Sequence, residues 1–268
     1  YNIYDCEICG TRFADPLGIL DYEFVFQQTD LYASHLEFAR KLKRQDDPSW
    51  ALIGLGQPYY AVFDFLKGKQ ELDVLDVGCS YGYLPYVLRQ MGHKAYGIDI
   101  AAMPIHFAYG LFGNFYFTAS IKEFVKANPD TRFNLITAIE VLEHLIEPMN
   151  FIKDCLTAVI DGGSLLITTP NRDYKELSEQ RATSNKDVLW IMEKPPVHTA
   201  VYNRKSMEYI AKETGTKLSF TEFPGLAERS GALNMAAIFT KFEGVHNGRS
   251  GIHSQASLPK TAGAGVGS

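Results

Sequence analysis

Apolar runs of strand length alternate with helical patterns along most of the chain from residue 71 onward. Seven such runs are predicted as strands, namely 71–78, 94–100, 114–120, 133–140, 163–170, 217–223 and 234–242. The segments between most of them carry apolar residues at helical spacing. Strands that alternate with helices form a mostly parallel sheet with both faces covered, so the sequence predicts an α/β fold.

The first 50 residues have a different pattern. They begin with an irregular stretch, and DLYASHLEFARKLKRQ then predicts a helix. A second helix is predicted over residues 58–67, where Pro58 suits a first helical turn. We therefore predict an N-terminal Cys-pair segment and helical cap over 1–50, a main domain over 51–242, and a Gly/Ser/Ala-rich flexible tail or linker over 243–268.

Composition narrows the class of protein. The formal net charge of −5 gives no general attraction to phosphate backbones, which makes a nucleic-acid partner less favoured. No apolar run reaches the roughly 18 residues of a membrane span, and no secretory signal is found. The four cysteines do not form a disulfide framework, which favours a cytoplasmic protein. A sequence that begins with Tyr1 is compatible with a piece of a larger polypeptide.

The stretch VLDVGCSYGYLPYVLRQMGHKAYGIDI places two glycines and two acids at predicted strand ends. Gly78 and Gly82 allow a tight turn, but the spacing matches neither a dinucleotide fingerprint nor a P-loop. Asp76 before the turn would repel phosphate and suits a cationic ligand. Asp99 can accept hydrogen bonds from both ribose hydroxyls. A ribose without phosphates beside an amino-acid group describes S-adenosylmethionine (SAM).

This stretch resembles the first motifs of the class I SAM-dependent methyltransferases. The resemblance continues through FNLITAIEVLEHL and DGGSLLITTPN and covers roughly residues 55–242. It implies a Rossmann-like sheet of seven strands, mostly parallel with the last strand antiparallel, and a SAM-using enzyme. It also implies SAM contacts from Asp76, Gly78, Cys79, Tyr81, Gly82, Asp99, Ile100, Ser120, Ile121 and Glu140.

The segment after the fourth main strand offers candidate catalytic residues. Glu140, Glu143 and His144 share one face if the segment is helical, and His198 would complete a divalent-metal site for Mg or Zn. The pattern resembles two metal-using branches of the family, the ubiquinone-type O-methyltransferases and the small-RNA 2′-O-methyltransferases. The other interpretation has no metal: these residues are structural, or His144 acts alone as a general base.

The acceptor is less defined by the sequence. Tyr59, Tyr81 and Tyr83 are candidates for an acceptor pocket, and the insert 172–198 with Trp190 is a candidate lid. The favoured hypothesis is O-methylation of a small molecule or glycan, with Glu140, His144 and His198 as catalytic residues. The alternatives are a metal-assisted RNA 2′-O-methyltransferase, whose H-x-H-x-F-E-W signature is absent, and a non-catalytic SAM-binding domain of a larger polypeptide.

The motif Cys6-x-x-Cys9-Gly10 is half of a zinc knuckle. Structural zinc needs four ligands, and no second cysteine pair follows in the sequence. Two interpretations stay open: the other ligands lie outside these residues, or the pair binds no metal.

Overall fold

The structure is a computed structural model that describes residues 2–15, 21, 29–174, 197–223 and 234–243. The predicted lid around Trp190 and nearly all of the predicted tail lie outside the described residues. The described helices are α1 (Thr29–Lys43), α2 (Ser49–Ile53), α3 (Gln57–Leu66), α4 (Tyr83–Gln90), α5 (Ala102–Phe112), α6 (Ile121–Ala127), α7 (Pro148–Thr157) and α8 (Arg204–Thr214). A 3₁₀ turn spans Leu142–His144.

The strands form two sheets. They are β1 (Asn2–Asp5), β2 (Arg12–Asp15), β3 (Asp73–Val77), β4 (Lys94–Asp99), β5 (Tyr116–Thr118), β6 (Phe133–Ile139), β7 (Val159–Pro170), β8 (Ala200–Val201), β9 (Lys217–Phe220) and β10 (Asn234–Thr240). The main sheet has the order β5-β4-β3-β6-β7-β10-β9. Its strands pair in parallel except β10, which is antiparallel to both neighbours. The predicted α/β sheet of seven strands with an antiparallel last strand is confirmed.

Both faces of the main sheet are buried, as a continuous apolar strand requires. In β3, Val74 packs in the cluster with α3 and α4, while its neighbour Leu75 packs in the cluster on the opposite face. Leu135 and Ile136 of β6 divide between the two clusters in the same way. This alternation fixes the strand register, and the carboxyl ends of β3, β4 and β6 consequently meet at one edge of the sheet.

The N-terminal segment differs from its prediction. Residues predicted as irregular form the hairpin β1–β2, and β8 adds to this hairpin as a third strand. The pairing joins Arg12 to Val201 and Phe13 to Ala200. Arg172 of the main domain further pairs with Asp5 at 2.7 Å. The hairpin is therefore attached to the segment that follows His198. The proposed division at residue 50 stays a prediction.

None of the helices among the described residues combines the length and the apolar character that crossing a bilayer requires.

Candidate active site

A cavity of about 320 Å³ lies at the carboxyl ends of β3, β4 and β6. Seven of its lining residues were predicted site residues, namely Gly78, Asp99, Ile100, Ser120, Ile121, Glu140 and His144. Ala119, expected near the adenine beside Ser120 and Ile121, also lines the cavity. The sequence did not indicate as site residues Val77, Ser80, Ile139, Val141, Leu145 and Phe151. All of these except Ser80 are apolar, and their pattern marks them as core positions rather than as walls of a site. The mostly apolar lining suits an aromatic ring such as adenine.

Among the described residues, Asp99 is one of the two acids that line the cavity. Its side chain is buried, and its two carboxylate oxygens each accept one backbone hydrogen bond at 2.9 Å, from Ser80 N and Ala101 N. Ser80 adopts φ 48°, a left-handed conformation that is uncommon for a residue with a Cβ. These backbone hydrogen bonds hold the carboxylate of Asp99 in place at the cavity. Its role as the acceptor for ribose hydroxyls stays a prediction.

Ser120 also contacts the cavity, but its side chain has a structural role. Its hydroxyl donates to Glu123 Oε2 at 2.7 Å and accepts from Glu123 N at 3.3 Å. This capping box begins α6. The predicted recognition of adenine beside Ile121 would therefore use the backbone or apolar contact rather than the Ser120 hydroxyl.

Two residues of the glycine turn that were predicted to contact the cofactor, Gly82 and Cys79, pack against the protein instead. Gly82 does not line the cavity: its φ is 76°, and a Cβ there would lie 2.5 Å from the Tyr116 ring. The Tyr116 hydroxyl donates to Gly82 O at 2.6 Å. Cys79 is buried, and its sulfur would lie 2.7 Å from a Cβ placed on Gly97. In these contacts both residues serve the packing of the turn.

Tyr81 and Tyr83 connect the turn to the helical cap rather than lining the cavity. The Tyr81 ring stacks on His35 of α1 with centroids 3.9 Å apart. The Tyr83 hydroxyl donates to His35 O at 2.9 Å and also contacts His35 Nδ1 at 3.0 Å. Tyr59 is half-buried outside the lining set, and burial followed by the charges of Asp76 and Glu140 raises its pKa. Of these three tyrosines, Tyr59 is the one whose hydroxyl senses the charges of the site acids Asp76 and Glu140.

Asp76 lies beneath the turn and does not line the cavity. Its carboxylate accepts a hydrogen bond from Thr137 Oγ1 at 2.7 Å. The pKa of Asp76 is raised to about 7, mainly by burial and further by the charge of Asp99, while the Thr137 hydrogen bond opposes the rise. The two strand-end acids therefore repel each other in the absence of a cationic ligand.

The raised pKa of Asp76, caused mainly by burial, makes the stability of the fold depend on pH. Because the folded-state pKa of Asp76 lies above its unfolded value, its stabilising contribution is present at low pH and is lost as pH rises through about 7. We expect Asp76→Asn, which keeps an acceptor for Thr137, to unfold at a higher temperature than wild type at pH 8 without ligand. The free-energy difference should be roughly 2–4 kcal/mol, shrinking toward pH 5.

Thermal unfolding measured from pH 5 to pH 8 tests this expectation. The matched control is Asp130→Asn, which changes an exposed acid outside the site. A variant Asp76→Asn with the same pH profile as wild type would contradict the assignment.

Glu140 directly follows β6 and adopts a left-handed conformation with φ 53°. Its carboxylate accepts hydrogen bonds from Thr168 Oγ1 at 2.9 Å and Asn234 Nδ2 at 2.8 Å. Burial raises the pKa of Glu140 to about 7, while the two hydrogen bonds oppose that rise. The strained backbone is held by its neighbours and points the carboxylate into the cavity wall.

Three of the four predicted metal ligands come together next to Glu140. One carboxylate oxygen of Glu143 and one ring nitrogen each of His144 and His198 lie within 4.8 Å of one another. Glu140 is outside this group. The residues do not share a helix face, since Leu142–His144 is a single 3₁₀ turn, and His198 arrives from a distant segment.

Hydrogen bonds fix this trio in position. His144 Nδ1 is 2.7 Å from Val197 O, so that nitrogen carries the proton, and the ring also interacts with the backbone of Glu140. Nε2 lies 3.9 Å from Glu143 Oε1. Glu143 is 1% exposed, and its Oε2 accepts from Thr169 Oγ1 at 3.0 Å. Thr199, next to His198, donates through its backbone N–H to Glu143 O at 2.7 Å.

The charge states follow from burial. Burial lowers the pKa of His144, partly opposed by its backbone hydrogen bonds, so the ring is neutral at pH 7. Burial and then the charge of Glu140 raise the pKa of Glu143. A neutral imidazole at the cavity wall is able to accept a proton or to ligate a cation.

The fold and the cavity define a class I SAM-dependent methyltransferase domain. The sequence model of the family described as a methyltransferase domain matches residues 52–219, which is more than half of the chain. The chain belongs to this family. The prediction of a SAM-dependent methyltransferase is therefore confirmed.

Curated relatives are similar over part of their length. The chain is 32% identical over 118 residues to the ubiquinone biosynthesis O-methyltransferase of Colwellia psychrerythraea, covering 42% of this chain and 47% of that protein. It is 32% identical over 163 residues to the enzyme of the same name from Vibrio cholerae, covering 55% and 66%. The chain thus spans about half to two thirds of the length of these relatives.

Solved structures share the fold. A SAM-dependent methyltransferase from Archaeoglobus fulgidus superposes with a TM-score of 0.53 at 19% identity, over 82% of this chain and 100% of that one. Magnesium protoporphyrin IX methyltransferase from Synechocystis, with bound SAH, superposes with a TM-score of 0.51 at 15% identity, over 82% and 98%. At these identities the likeness concerns the fold.

Proposed function

We propose that the protein transfers the methyl group of SAM to a hydroxyl oxygen of a small molecule or glycan. The observation that carries the proposal is the trio Glu143, His144 and His198, of which His144 lines the cavity. A hydroxyl must lose its proton to become a strong nucleophile, and a neutral imidazole at the cavity wall can accept that proton. The relatives named as O-methyltransferases support an oxygen acceptor.

Methyl transfer from a sulfonium is an in-line displacement in which the protein mainly positions the two partners. Asp99 would hold the ribose, and the apolar cavity wall would hold adenine. His144 Nε2 would accept the acceptor's proton, because Val197 O holds the ring with Nδ1 protonated. Glu143 Oε1, 3.9 Å from Nε2, would then lie beside the imidazolium that forms. The acceptor oxygen bonds to the methyl carbon as the bond from carbon to sulfur breaks, and S-adenosylhomocysteine leaves neutral.

The trio also fits a divalent cation. One buried carboxylate and two imidazoles are a donor set typical of Zn²⁺ more than of Mg²⁺, which prefers oxygen. The hydrogen bond from His144 to Val197 O is of the kind that orients a metal-ligating histidine. Glu143, His144 and His198 would hold the ion. When bound, it would lower the pKa of the acceptor hydroxyl, and a group other than His144 Nε2 would then take the proton.

A methyl-transfer screen with labelled SAM tests the acceptor class. Phenols and catechols, free sugars and nucleotide sugars, and RNA form separate pools. We expect label in a base-stable ether on a phenol or sugar hydroxyl. Label found on nitrogen, carbon or carboxylate alone would overturn the proposal, as would label in RNA alone. No binding of SAM or S-adenosylhomocysteine by calorimetry would reject catalysis altogether.

Removal of metal distinguishes the two roles of His144. If the trio holds an ion, we expect a chelator to lower turnover at least about tenfold, with recovery on adding Zn²⁺. His198→Ala should be slow and no longer respond to the chelator. If wild-type turnover is unchanged in chelator and His198→Ala is active, the ion is rejected. His144 would then be the base.

A further inference from the structure

Thr199 binds the backbone of the 3₁₀ turn that carries two members of the trio. It is 2% exposed, and its backbone N–H donates to Glu143 O at 2.7 Å. Its hydroxyl has one proton, which is shared between Glu143 O and Leu145 O at 3.0 Å each. Both donors of one buried residue therefore hold the carbonyl groups on either side of position 144.

Other residues of the same segment add to this attachment. Val197 O accepts the hydrogen bond from His144 Nδ1, and the Tyr202 hydroxyl donates to Leu142 O at 3.3 Å. The rings of His144 and His198 lie with their centroids 4.9 Å apart. The geometry of the trio therefore depends on how residues 197–202 lie against the 3₁₀ turn.

The hairpin β1–β2 supports this segment from its other side. Ala14 of β2 is buried, and its backbone N–H donates to Thr199 O at 3.0 Å. Arg172 joins the two parts, because its side chain pairs with Asp5 of β1 at 2.7 Å and its backbone N–H donates to Tyr202 O at 2.8 Å. A chain of hydrogen bonds therefore runs from the hairpin through Thr199 to the 3₁₀ turn.

We propose that Thr199 is a positioning residue of the trio and that the hairpin β1–β2 keeps it in place. The inference rests on the proposed function, since it concerns the group that would act on the acceptor hydroxyl. Thr199 is not among the described residues that line the cavity, so its effect passes through Glu143 and His144. Without its hydrogen bonds the His144 ring turns away from Val197 O. The cofactor end of the cavity, on β3 and β4, stays unchanged.

Thr199→Val removes the hydroxyl and keeps the branched shape of the side chain. On an acceptor from the screen, we expect kcat to fall at least about tenfold while the dissociation constant for SAM stays within about threefold of wild type. Thr199→Ser keeps the hydroxyl and should recover most of the wild-type rate. Thr214→Val is the matched control, because the Thr214 hydroxyl also donates to two backbone carbonyls, at the carboxyl end of α8.

Ala14→Pro tests the hairpin separately, because proline lacks the N–H that reaches Thr199 O. Since Ala14 turns its N–H to Thr199, its pair with Ile3 is a non-hydrogen-bonded one, and the Ile3 N–H points away from β2. Ile3→Pro is therefore the matched control. Ala14→Pro should lower kcat as Thr199→Val does, and Ile3→Pro should turn over within about threefold of wild type.

The His144 ring gives a measurement that needs no acceptor. In NMR spectra of protein with isotope-labelled histidine, the Nδ1 proton bonded to Val197 O should exchange slowly with water, and His144→Ala assigns its signal. We expect exchange at least about tenfold faster in Thr199→Val and Ala14→Pro, and wild-type exchange in Thr199→Ser and Thr214→Val.

The two proposals fail separately in these measurements. Wild-type exchange of the His144 proton in both Thr199→Val and Ala14→Pro would overturn the positioning role. Faster exchange in these variants together with wild-type turnover would support the positioning role and reject the proposed part of His144 in methyl transfer.

Discussion

Asp99→Ala is expected to raise the dissociation constant for SAM by at least about 100-fold. Two hydrogen bonds from ribose hydroxyls to a carboxylate contribute roughly 1.5–3 kcal/mol each, and about 1.4 kcal/mol is a factor of ten in binding. The carboxylate is already ordered by Ser80 N and Ala101 N, so little ordering entropy opposes the contact.

Calorimetry with SAM and S-adenosylhomocysteine measures this loss for both ligands. Asp99→Asn, which keeps one acceptor oxygen and loses the charge, should fall between wild type and the alanine variant. Asp130→Ala, a change of an exposed acid elsewhere, should bind as wild type does. Because Asp99 also supports the turn, near-ultraviolet circular dichroism must show a folded variant. A folded Asp99→Ala that binds SAM within about threefold of wild type would remove Asp99 from the ribose site.

His144→Ala is expected to lower kcat by roughly 10²–10⁴ while the dissociation constant for SAM changes little. The expectation holds whether His144 takes the proton or holds an ion, since both roles act on the acceptor hydroxyl. Activity of wild type should fall as pH drops below the pKa of His144, because protonation occupies Nε2. That pKa lies below the ordinary histidine value, so the fall occurs on the acid side of about 6.5.

Single-turnover methyl transfer with saturating SAM measures the chemical step directly. His106→Ala is the matched control, because it removes an exposed histidine on α5. An acceptor found in the screen serves as substrate. If His144→Ala turns over at the wild-type rate on that acceptor, His144 is structural and the proposed mechanism is wrong.

The sheet was predictable because its signals are local. Most strands of the main sheet are short apolar runs. Neighbouring residues of a run pack on opposite buried faces, as Leu135 and Ile136 do. The position of Asp99 was equally predictable, since the carboxyl end of a parallel strand is where ligands lie. A residue type and its place at a strand end are both visible in the sequence.

Side-chain direction and long-range pairing were not predictable in the same way. Gly82 and Asp76 stand in the motif, yet one faces Tyr116 and the other Thr137 rather than the cavity. Glu140 separates from Glu143 because a left-handed residue and a 3₁₀ turn replace the expected helix. The hairpin β1–β2 has a fully exposed first strand, so its sequence carries no buried alternation from which to predict it.

The pairing of β2 with β8 has a consequence for the order of events during synthesis. Phe13 meets Ala200, so their contact closes a loop of nearly the whole domain. At about 5–20 residues per second, the ribosome adds the partner strand on the order of ten seconds or more after the hairpin emerges. Through that interval Cys6 and Cys9 precede their docking surface on α8. The hairpin consequently has no third strand until residues 200 and 201 have been made.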